Sequence, residues 1–194
     1  MKKEKSPCII LASKSPRRRQ LLTEAGYKFT VVPPDVNESM FVSEGMDACG
    51  YAKQLALAKA RNVAENYPDS LVIGADTVVD FDGEIIGKAV DADHAERITR
   101  KLFSKPHKVI TGLAIVRLRD NIELVEADVT TVFPRKMSAA QIAEHIMGGS
   151  WRDKAGAYAI QETGDEFVEK IEGSMTNVMG MPMELLQRLL KKNC

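Results

Sequence analysis

Hydrophobic residues recur along this chain with two different spacings, and the alternation between the spacings predicts an α/β fold. Apolar runs of strand length that end at turn residues are typical of strands in a sheet. These runs lie at residues 8–12, 28–33, 71–81, 84–87, 108–119 and 122–133. Apolar residues three or four positions apart, among good helix formers, predict helices. These segments lie at residues 16–25, 46–65, 91–103, 138–147 and 183–192. Residues 155–161 and 166–171 are predicted to be short strands or edges of loops.

Two pairs of turn residues divide the strand-like runs into antiparallel hairpins. Asp82 and Gly83 follow the run at 71–81, and Asp120 and Asn121 separate the two runs that come after it. Asp-Gly between β-rich segments is a strong signal for a tight hairpin. The sheet should therefore be mixed rather than purely doubly wound. No repeat or linker interrupts the pattern, which predicts one domain over residues 1–194.

Charge is balanced over the whole chain, with 27 lysine and arginine residues against 27 aspartate and glutamate residues. This balance argues against a surface devoted to nucleic acid or to an anionic membrane, so any anion site must be local. No apolar run reaches the ~20 residues of a membrane span, and the first run is too short for a signal peptide. Cys8, Cys49 and Cys194 have no disulfide or metal-site spacing, which favours a reduced, cytoplasmic location.

The segment from Ser13 to Arg18 has the composition of an anion site. It follows a predicted buried strand, and Pro16 suits the first turn of a helix because its missing N–H has no helical partner there. Ser13, Ser15, Arg17 and Arg18 would then lie where a strand ends and a helix begins. Open α/β sheets bind anions at such places. A solvated basic helix start is an alternative of equal weight.

Asp76 is unusual because it lies inside an apolar strand, in the sequence LVIGADTVV. A buried carboxylate is costly unless it is paired, hydrogen-bonded or bound to a metal ion. Gly74, two residues earlier, permits another backbone to approach closely. Asp76 is therefore a candidate general base or Mg²⁺ ligand. The alternative is an aspartate that caps a bulge.

Three more charged residues are weaker candidates. Lys88, in the return strand of the first hairpin, could reach a phosphate or could be a solvated lysine at a turn. Lys59 lies on a helix whose other face is apolar, where snorkelling to solvent is the usual explanation. Glu38, in the polar loop 35–45, could supply a second carboxylate.

The sequence DKAGAYAIQ, at residues 153–161, combines a charged pair with small residues that permit close approach. The amide of Gln161 offers both a donor and an acceptor, as the edge of a pyrimidine requires. Gln161 could instead be an ordinary polar residue at a strand end. Residues 172–177 are either a second anion-facing helix start or a capping turn.

Several common catalytic motifs are absent from the sequence. His94, His107 and His145 lack the HxxxH and HExxH spacings of metal sites, which favours surface or core roles. The chain also has no GxxxxGK[ST], GxGxxG or GxSxG motif. P-loop kinases, Rossmann dehydrogenases and serine hydrolases are therefore disfavoured.

Six motifs occur together in one order: SKSPRR, GADT, IIGKAVDADHA, HKVITG, DKAGAYAIQ and IEGSMTNVMGMP. In this order they resemble the Maf family of nucleoside triphosphate pyrophosphatases over nearly the whole chain. The resemblance implies an α/β fold related to the inosine triphosphate pyrophosphatases, with a long mixed sheet, flanking helices and two lobes around a central cleft. It also implies hydrolysis of a nucleoside triphosphate between its α and β phosphates, with a divalent cation, Mg²⁺ or Mn²⁺, as cofactor.

The resemblance also implies a role for each candidate residue. Asp76 takes the position of the family's proton acceptor, and Glu38 and Asp76 are the candidate metal ligands. Three positions are linked to the choice of substrate: Arg17, Thr77 and Gln161. The other cleft positions are Ser13, Ser15, Arg18, Lys59, Lys88, Asp153 and Lys154.

The SPRR and AYAIQ sequences are similar to the branch of the family that acts on dTTP, UTP and modified pyrimidine triphosphates. The alternatives are a 7-methyl-GTP pyrophosphatase and a non-catalytic nucleotide-binding regulator linked to cell division.

The chain departs from the family pattern at two places. Ala89 stands where proline is usual, and Lys105-Pro106 follows Ser104 where glycine is usual. Both departures affect loop geometry rather than reacting groups. A homodimer is a further expectation from the resemblance.

Overall fold

The computed structural model describes residues 8–158 and 167–193. Its strands are β1 (Ile9–Ala12), β2 (Phe29–Val31), β3 (Leu71–Phe81), β4 (Glu84–Ile86), β5 (His107–Arg117), β6 (Ile122–Pro134) and β7 (Val168–Glu172). These seven strands form one sheet in the order β2-β1-β3-β5-β6-β7, with β4 beside β3. β1 is parallel to β2 and β3, and the remaining pairs are antiparallel. The prediction of a mixed sheet is confirmed.

The described helices are α1 (Pro16–Glu24), α2 (Ala48–Ala64), α3 (Ala92–Leu102), α4 (Ala139–Gly148), α5 (Met175–Val178) and α6 (Met183–Asn193). Their first residues follow from local chemistry. Pro16 occupies the first turn of α1, and Asp47 and Asp91 accept backbone N–H bonds at the starts of α2 and α3. Ser138 and Gln141 form a capping box at the start of α4.

The predicted elements agree with the observed ones apart from a few boundaries. β3 has the predicted bounds, and Asp82 and Gly83 adopt positive φ angles of 53° and 84° in the turn that follows it. The helix predicted from residue 46 begins at Ala48 because Asp47 caps it. Within the segment 155–161, Ala155 forms an isolated bridge with Lys88, and residues 159–161 lie outside the described residues.

α2 lies on one face of the sheet at unusually short range. A β-carbon added at Gly74 on β3 would lie 2.3 Å from the carbonyl oxygen of Ala56, and one at Gly112 on β5 would lie 2.2 Å from that of Ala52. Only hydrogen at these two positions leaves room for the α2 backbone. The other face of the sheet packs against α1, α3 and α6 around residues such as Ile73.

The edge of β3 is open over residues 75–78. β1 pairs with residues 71–74 of β3, and β4 pairs with residues 79–81, so neither covers the four residues between them. Successive side chains of a strand point to opposite faces of the sheet. At the open edge Asp76 therefore shares the α2 face with Gly74, and Thr77 lies on the opposite face. In open sheets, ligands bind where a strand ends and the connection changes direction.

Within the described residues, every helix is too short or too polar to cross a membrane.

The short distance between α2 and the sheet makes a testable prediction. Gly112→Ala should lower the free energy of unfolding by about 3 kcal/mol or more, because the new methyl group overlaps backbone that cannot move independently. Gly148→Ala is the matched control, since a β-carbon there meets nothing within 4 Å. Urea denaturation of both variants measures the difference, and equal stability of the two would contradict the close packing.

Candidate active site

A cleft of about 620 Å³ lies at the open edge of β3. Its walls come from the β1–α1 connection, the loop before Glu38, and the segments 152–158 and 178–180. Its basic residues are Lys14, Arg17, Arg18, Lys59, Lys88, Arg152 and Lys154, and its acidic residues are Glu38, Asp76 and Asp153. In a chain with no net charge, this local excess of positive charge is what an anion site requires.

The centre of the cleft holds a lysine between two carboxylates. Lys59 Nζ lies 2.6 Å from Asp76 Oδ1 and 2.7 Å from Glu38 Oε1. Lys59 and Asp76 are each only 8% exposed, whereas Glu38 is solvent-accessible. The interpretation of Lys59 as a snorkelling residue is therefore wrong. The ammonium group points inward because the close approach of α2 to Gly74 directs it at the strand.

Lys59 affects the two carboxyl groups differently. Burial raises the pKa of Asp76, and the charge and hydrogen bond of Lys59 oppose this shift without cancelling it. Burial also acts to raise the pKa of Glu38, but the hydrogen bond and charge of Lys59, together with Lys88, outweigh it and lower that pKa. Carboxyl groups whose pKa values move apart suit different roles. Asp76 is the better proton acceptor, and Glu38 stays ionised.

Arg18 is held by the protein on several sides. Its Nε donates to the carbonyl oxygen of Gly180 at 2.7 Å, and its Nη2 donates to Thr77 Oγ1 at 3.1 Å. Its Nη1 donates to the carbonyl oxygen of Ala75 at 2.8 Å and to Ser13 Oγ at 3.3 Å. Four of the five guanidinium N–H bonds are thus directed at protein oxygens. Ala75 can accept this bond because its carbonyl lies beyond the last β1 pair.

Thr77 continues this network across the sheet. Its hydroxyl lies 3.0 Å from that of Thr111 on β5, and Thr111 Oγ1 donates to the carbonyl oxygen of Asn177 at 2.9 Å. Asn177 itself is fully buried, and its amide donates to Val109 and Thr130. Ser174 Oγ accepts the Asn177 N–H, so the segment 172–177 is a capping turn.

The other predicted residues of the β1–α1 connection and the far wall also line the cleft. Ser13 is buried and accepts the backbone N–H of Ser15 at 3.1 Å, which shapes the turn into α1. Arg17 is half-buried on the cleft, whereas Arg19 is exposed outside it. Lys88 is exposed at its rim, and Lys154 donates to the carbonyl oxygen of Ser150. Gln161 lies outside the described residues.

The sequence reasoning missed Arg152 and the segment 178–180, both of which line the cleft. Arg152 lies beside the Asp153 motif, with its guanidinium carbon 5.0 Å from the centre of the Trp151 ring. A basic residue next to a recognised motif was the available signal. Residues 178–180 belong to the motif IEGSMTNVMGMP, but they are uncharged and reach the cleft because α5 packs against β5 and β6, so the motif alone does not place them there.

The carboxylates of the cleft are the candidate metal ligands. No group of three or more His, Cys, Asp and Glu side chains in the described part of the chain has the arrangement of a complete metal site. Glu38 and Asp76 lie close together because both contact Lys59 Nζ, so a metal ion would be held beside the ammonium group rather than in its place. Two carboxylates in a cationic cleft fit a hard divalent cation that takes its other ligands from phosphate oxygens and water.

The open strand edge and the cation-lined cleft define an α/β protein of the kind that binds an anionic ligand beside its sheet. The fold is similar to that of the Staphylococcus aureus Ham1 protein, with a TM-score of 0.55, 13% identity, and coverage of 96% of this chain and 99% of that one. A HAM1 protein from Coxiella burnetii has a TM-score of 0.53 and 14% identity. At this level of identity the likeness concerns the fold alone.

A family model described as "Maf-like protein" matches residues 8–193, and the chain belongs to this family. A Citrifermentans bemidjiense protein named "dTTP/UTP pyrophosphatase" is 46% identical over 179 residues, which cover 92% of each chain. A protein of the same name from Dictyoglomus thermophilum is 43% identical over 99% of this chain and 97% of its own. One from Elusimicrobium minutum is 42% identical over 95% of this chain and 97% of its own. The resemblance drawn from the six motifs is confirmed.

The position of Lys59 predicts a large loss of stability when its charge is removed. Lys59→Met should lower the free energy of unfolding at neutral pH by about 3–5 kcal/mol, because it leaves two carboxylates facing each other without a cation. The loss should shrink on acidification, since protonation of Asp76 then relieves the repulsion. Urea denaturation across pH measures this.

Lys53→Met, on the same helix, is the control for removing a lysine from α2, because Lys53 is half-buried and lies outside the cleft. If Lys59→Met were as stable as this control at neutral pH, the buried ion pairs would not hold α2 to β3.

Proposed function

We propose that this protein is a nucleoside triphosphate pyrophosphatase that hydrolyses dTTP, UTP and modified pyrimidine triphosphates to the monophosphate and pyrophosphate. The observation that carries the proposal is Asp76, a buried carboxylate with a raised pKa, placed in a cleft with an excess of cations. The names of the relatives described above support dTTP and UTP as substrates. The expected role is removal of unwanted nucleotides from the pool.

Asp76 acts as the general base in this proposal. Water forms a new bond to a phosphorus atom of the α–β bridge, Asp76 takes one of its protons, and the bridging P–O bond breaks to release pyrophosphate. The raised pKa of Asp76 suits proton uptake, because a carboxylate held at a very low pKa is a weak base. Lys59 holds the carboxylate in place at 2.6 Å, and its charge favours the ionised form against the effect of burial on the pKa of Asp76.

Cationic side chains bind the polyphosphate. Lys88 and Lys154 line the cleft from two neighbouring segments, which are joined by the bridge between Lys88 and Ala155, and Ser13 and Ser15 shape the turn at the start of α1. Arg18 contributes positive charge and also holds Thr77. Interactions of this kind lower the barrier most when they meet the charge that develops in the transition state.

The choice of nucleobase is proposed to depend on Arg17, Thr77 and Gln161. The half-buried position of Arg17 on the cleft and the fixed hydroxyl of Thr77 support their part in this. Gln161 keeps its assignment from the family motif.

A divalent cation, Mg²⁺ or Mn²⁺, is the proposed cofactor, with Glu38 and Asp76 as its protein ligands. Such an ion neutralises charge on the phosphates and polarises the scissile bond. The lowered pKa of Glu38 supports this role, because a metal ligand must be deprotonated. We further propose one domain over the whole chain, a cytoplasmic location and a homodimer.

A nucleotide panel tests the proposed function directly. Pyrophosphate release with Mg²⁺ or Mn²⁺ should be fastest for dTTP, UTP or a modified pyrimidine triphosphate, and slower for purine triphosphates and 7-methyl-GTP. Preference for 7-methyl-GTP would move the protein to that branch of the family. Nucleotide binding without release from any substrate would indicate a regulator without turnover.

The role of Asp76 predicts the outcome of one conservative substitution. Asp76→Asn should lower kcat by roughly 10²–10⁴-fold, the usual contribution of a general base. The variant should stay folded, because the amide oxygen can still accept from Lys59, and Lys59 keeps Glu38. Circular dichroism and pyrophosphate release measure the two properties.

Asp80→Asn is the matched control, because Asp80 lies on the same strand and the same face but caps the hairpin turn, with Oδ1 accepting the Gly83 N–H at 2.7 Å. Turnover of Asp76→Asn close to that of this control at saturating metal would contradict the assignment of the base.

A further inference from the structure

The wall of the cleft formed by residues 152–158 adopts an unfavourable backbone conformation. Asp153, Gly156 and Ala157 have positive φ angles of 59°, 72° and 58°. Residues other than glycine rarely adopt such angles, so the surrounding structure must hold them. The segment also supplies cleft side chains, including Arg152, Lys154 and Tyr158. Whatever holds this loop therefore also places part of the cleft.

The first attachment joins Tyr158 to β5. The Tyr158 hydroxyl lies 2.7 Å from His107 Nε2, and His107 Nδ1 lies 3.1 Å from the carbonyl oxygen of Leu102. A carbonyl oxygen can only accept, so Nδ1 carries the hydrogen. Burial lowers the pKa of His107, so the ring is neutral and Nε2 accepts the hydrogen of Tyr158.

The second attachment joins Ala157, the residue before Tyr158, to α4. His145 Nε2 donates to the carbonyl oxygen of Ala157 at 2.8 Å, and its Nδ1 lies 3.3 Å from Ser150 Oγ. The carbonyl oxygen of Ser150 in turn accepts from Lys154 Nζ. His145 therefore fixes the strained residue Ala157 and, through Ser150, the base of a cleft lysine.

The hydroxyl of Tyr158 does more than complete the core. The ring is already packed edge-on against Phe103, with centroids 5.4 Å apart, and phenylalanine would keep this packing. The hydroxyl is needed only for the bond to His107. One hydrogen bond, which packing does not require, thus links the buried His107 to Tyr158, whose side chain lines the cleft.

We propose that His107, acting through Tyr158, and His145, acting through Ala157, are positioning residues that hold this wall in the geometry that binds the polyphosphate. The inference deepens the proposed function and rests on it. Neither histidine is among the residues that line the cleft, so each acts through a residue of the loop. Their effect should fall on substrate affinity, whereas the Asp76–Lys59 pair determines the rate of the chemical step.

Tyr158→Phe tests the proposal with the least disturbance. It should raise KM for the preferred nucleotide, and Kd for inorganic tripolyphosphate, by about 3- to 10-fold, which corresponds to the loss of one net hydrogen bond. The kcat value should stay close to that of wild type, because the lost interaction contributes equally to the ground and transition states. Tyr67→Phe is the control, since Tyr67 is 42% exposed and lies outside the cleft.

His107 variants test whether Tyr158 transmits the effect. His107→Leu should weaken tripolyphosphate binding as Tyr158→Phe does, and His107→Gln should restore part of it because an amide keeps a donor and an acceptor. In a double-mutant cycle, Tyr158→Phe should add little to His107→Leu. If His107→Leu fails to fold, the comparison of Tyr158→Phe with His107→Gln carries the test.

Two results would overturn the inference: tripolyphosphate affinity unchanged in a folded Tyr158→Phe variant, or strictly additive losses in the double mutant. The binding series needs no turnover. A wild-type protein that releases no pyrophosphate would therefore contradict the proposed function, while the affinity of these variants would still decide the role of the loop.

Discussion

The pairing of Lys59 with Asp76 and Glu38 is the interaction on which the rest of the structure depends. It joins α2, β3 and the loop before α2 at one buried point, with both distances below 3 Å. A carboxylate in the centre of an apolar sheet would otherwise be too costly to bury. The same ammonium group lowers the pKa of Glu38, whereas burial keeps the pKa of Asp76 raised despite Lys59, so the two carboxyl groups are prepared for different chemistry.

The open edge of β3 gives this pair access to a ligand. Because the pairing of β3 with β1 ends at Gly74 and its pairing with β4 begins at Val79, the part of β3 between these residues borders a cleft instead of a neighbouring strand. Arg18 closes the base of the opening by donating to Ala75, Thr77 and Gly180. The cleft is therefore bounded by an arginine that keeps its positive charge while most of its N–H groups donate to protein oxygens.

Much of this arrangement could be predicted from the sequence, because the relevant signals are local. Because Asp76 lies within an apolar strand, its burial is costly, which indicated a functional role. Gly74, two residues earlier, indicated that another backbone approaches this strand closely. The role of Lys59 could not be predicted, since a lysine beside an apolar helix face usually reaches solvent. Arg152 was missed because one basic residue on a loop carries no periodic signal. The spacing of the histidines favoured surface or core roles, without deciding between them, and it gave no indication of the partners of His107 and His145 on the loop.

The sequence by itself determined most strands and helices, their caps and the candidate general base, because hydrophobic spacing, turn residues and capping residues act within a few positions along the chain. The tertiary structure alone decided which of these residues meet. Lys59 and Asp76 are 17 residues apart, and Arg18 and Gly180 are 162 apart. Such pairs form only when α2 settles onto Gly74 and Gly112 and when α5 packs against the sheet. Their geometry depends on packing at ångström scale, which no local pattern of residues encodes.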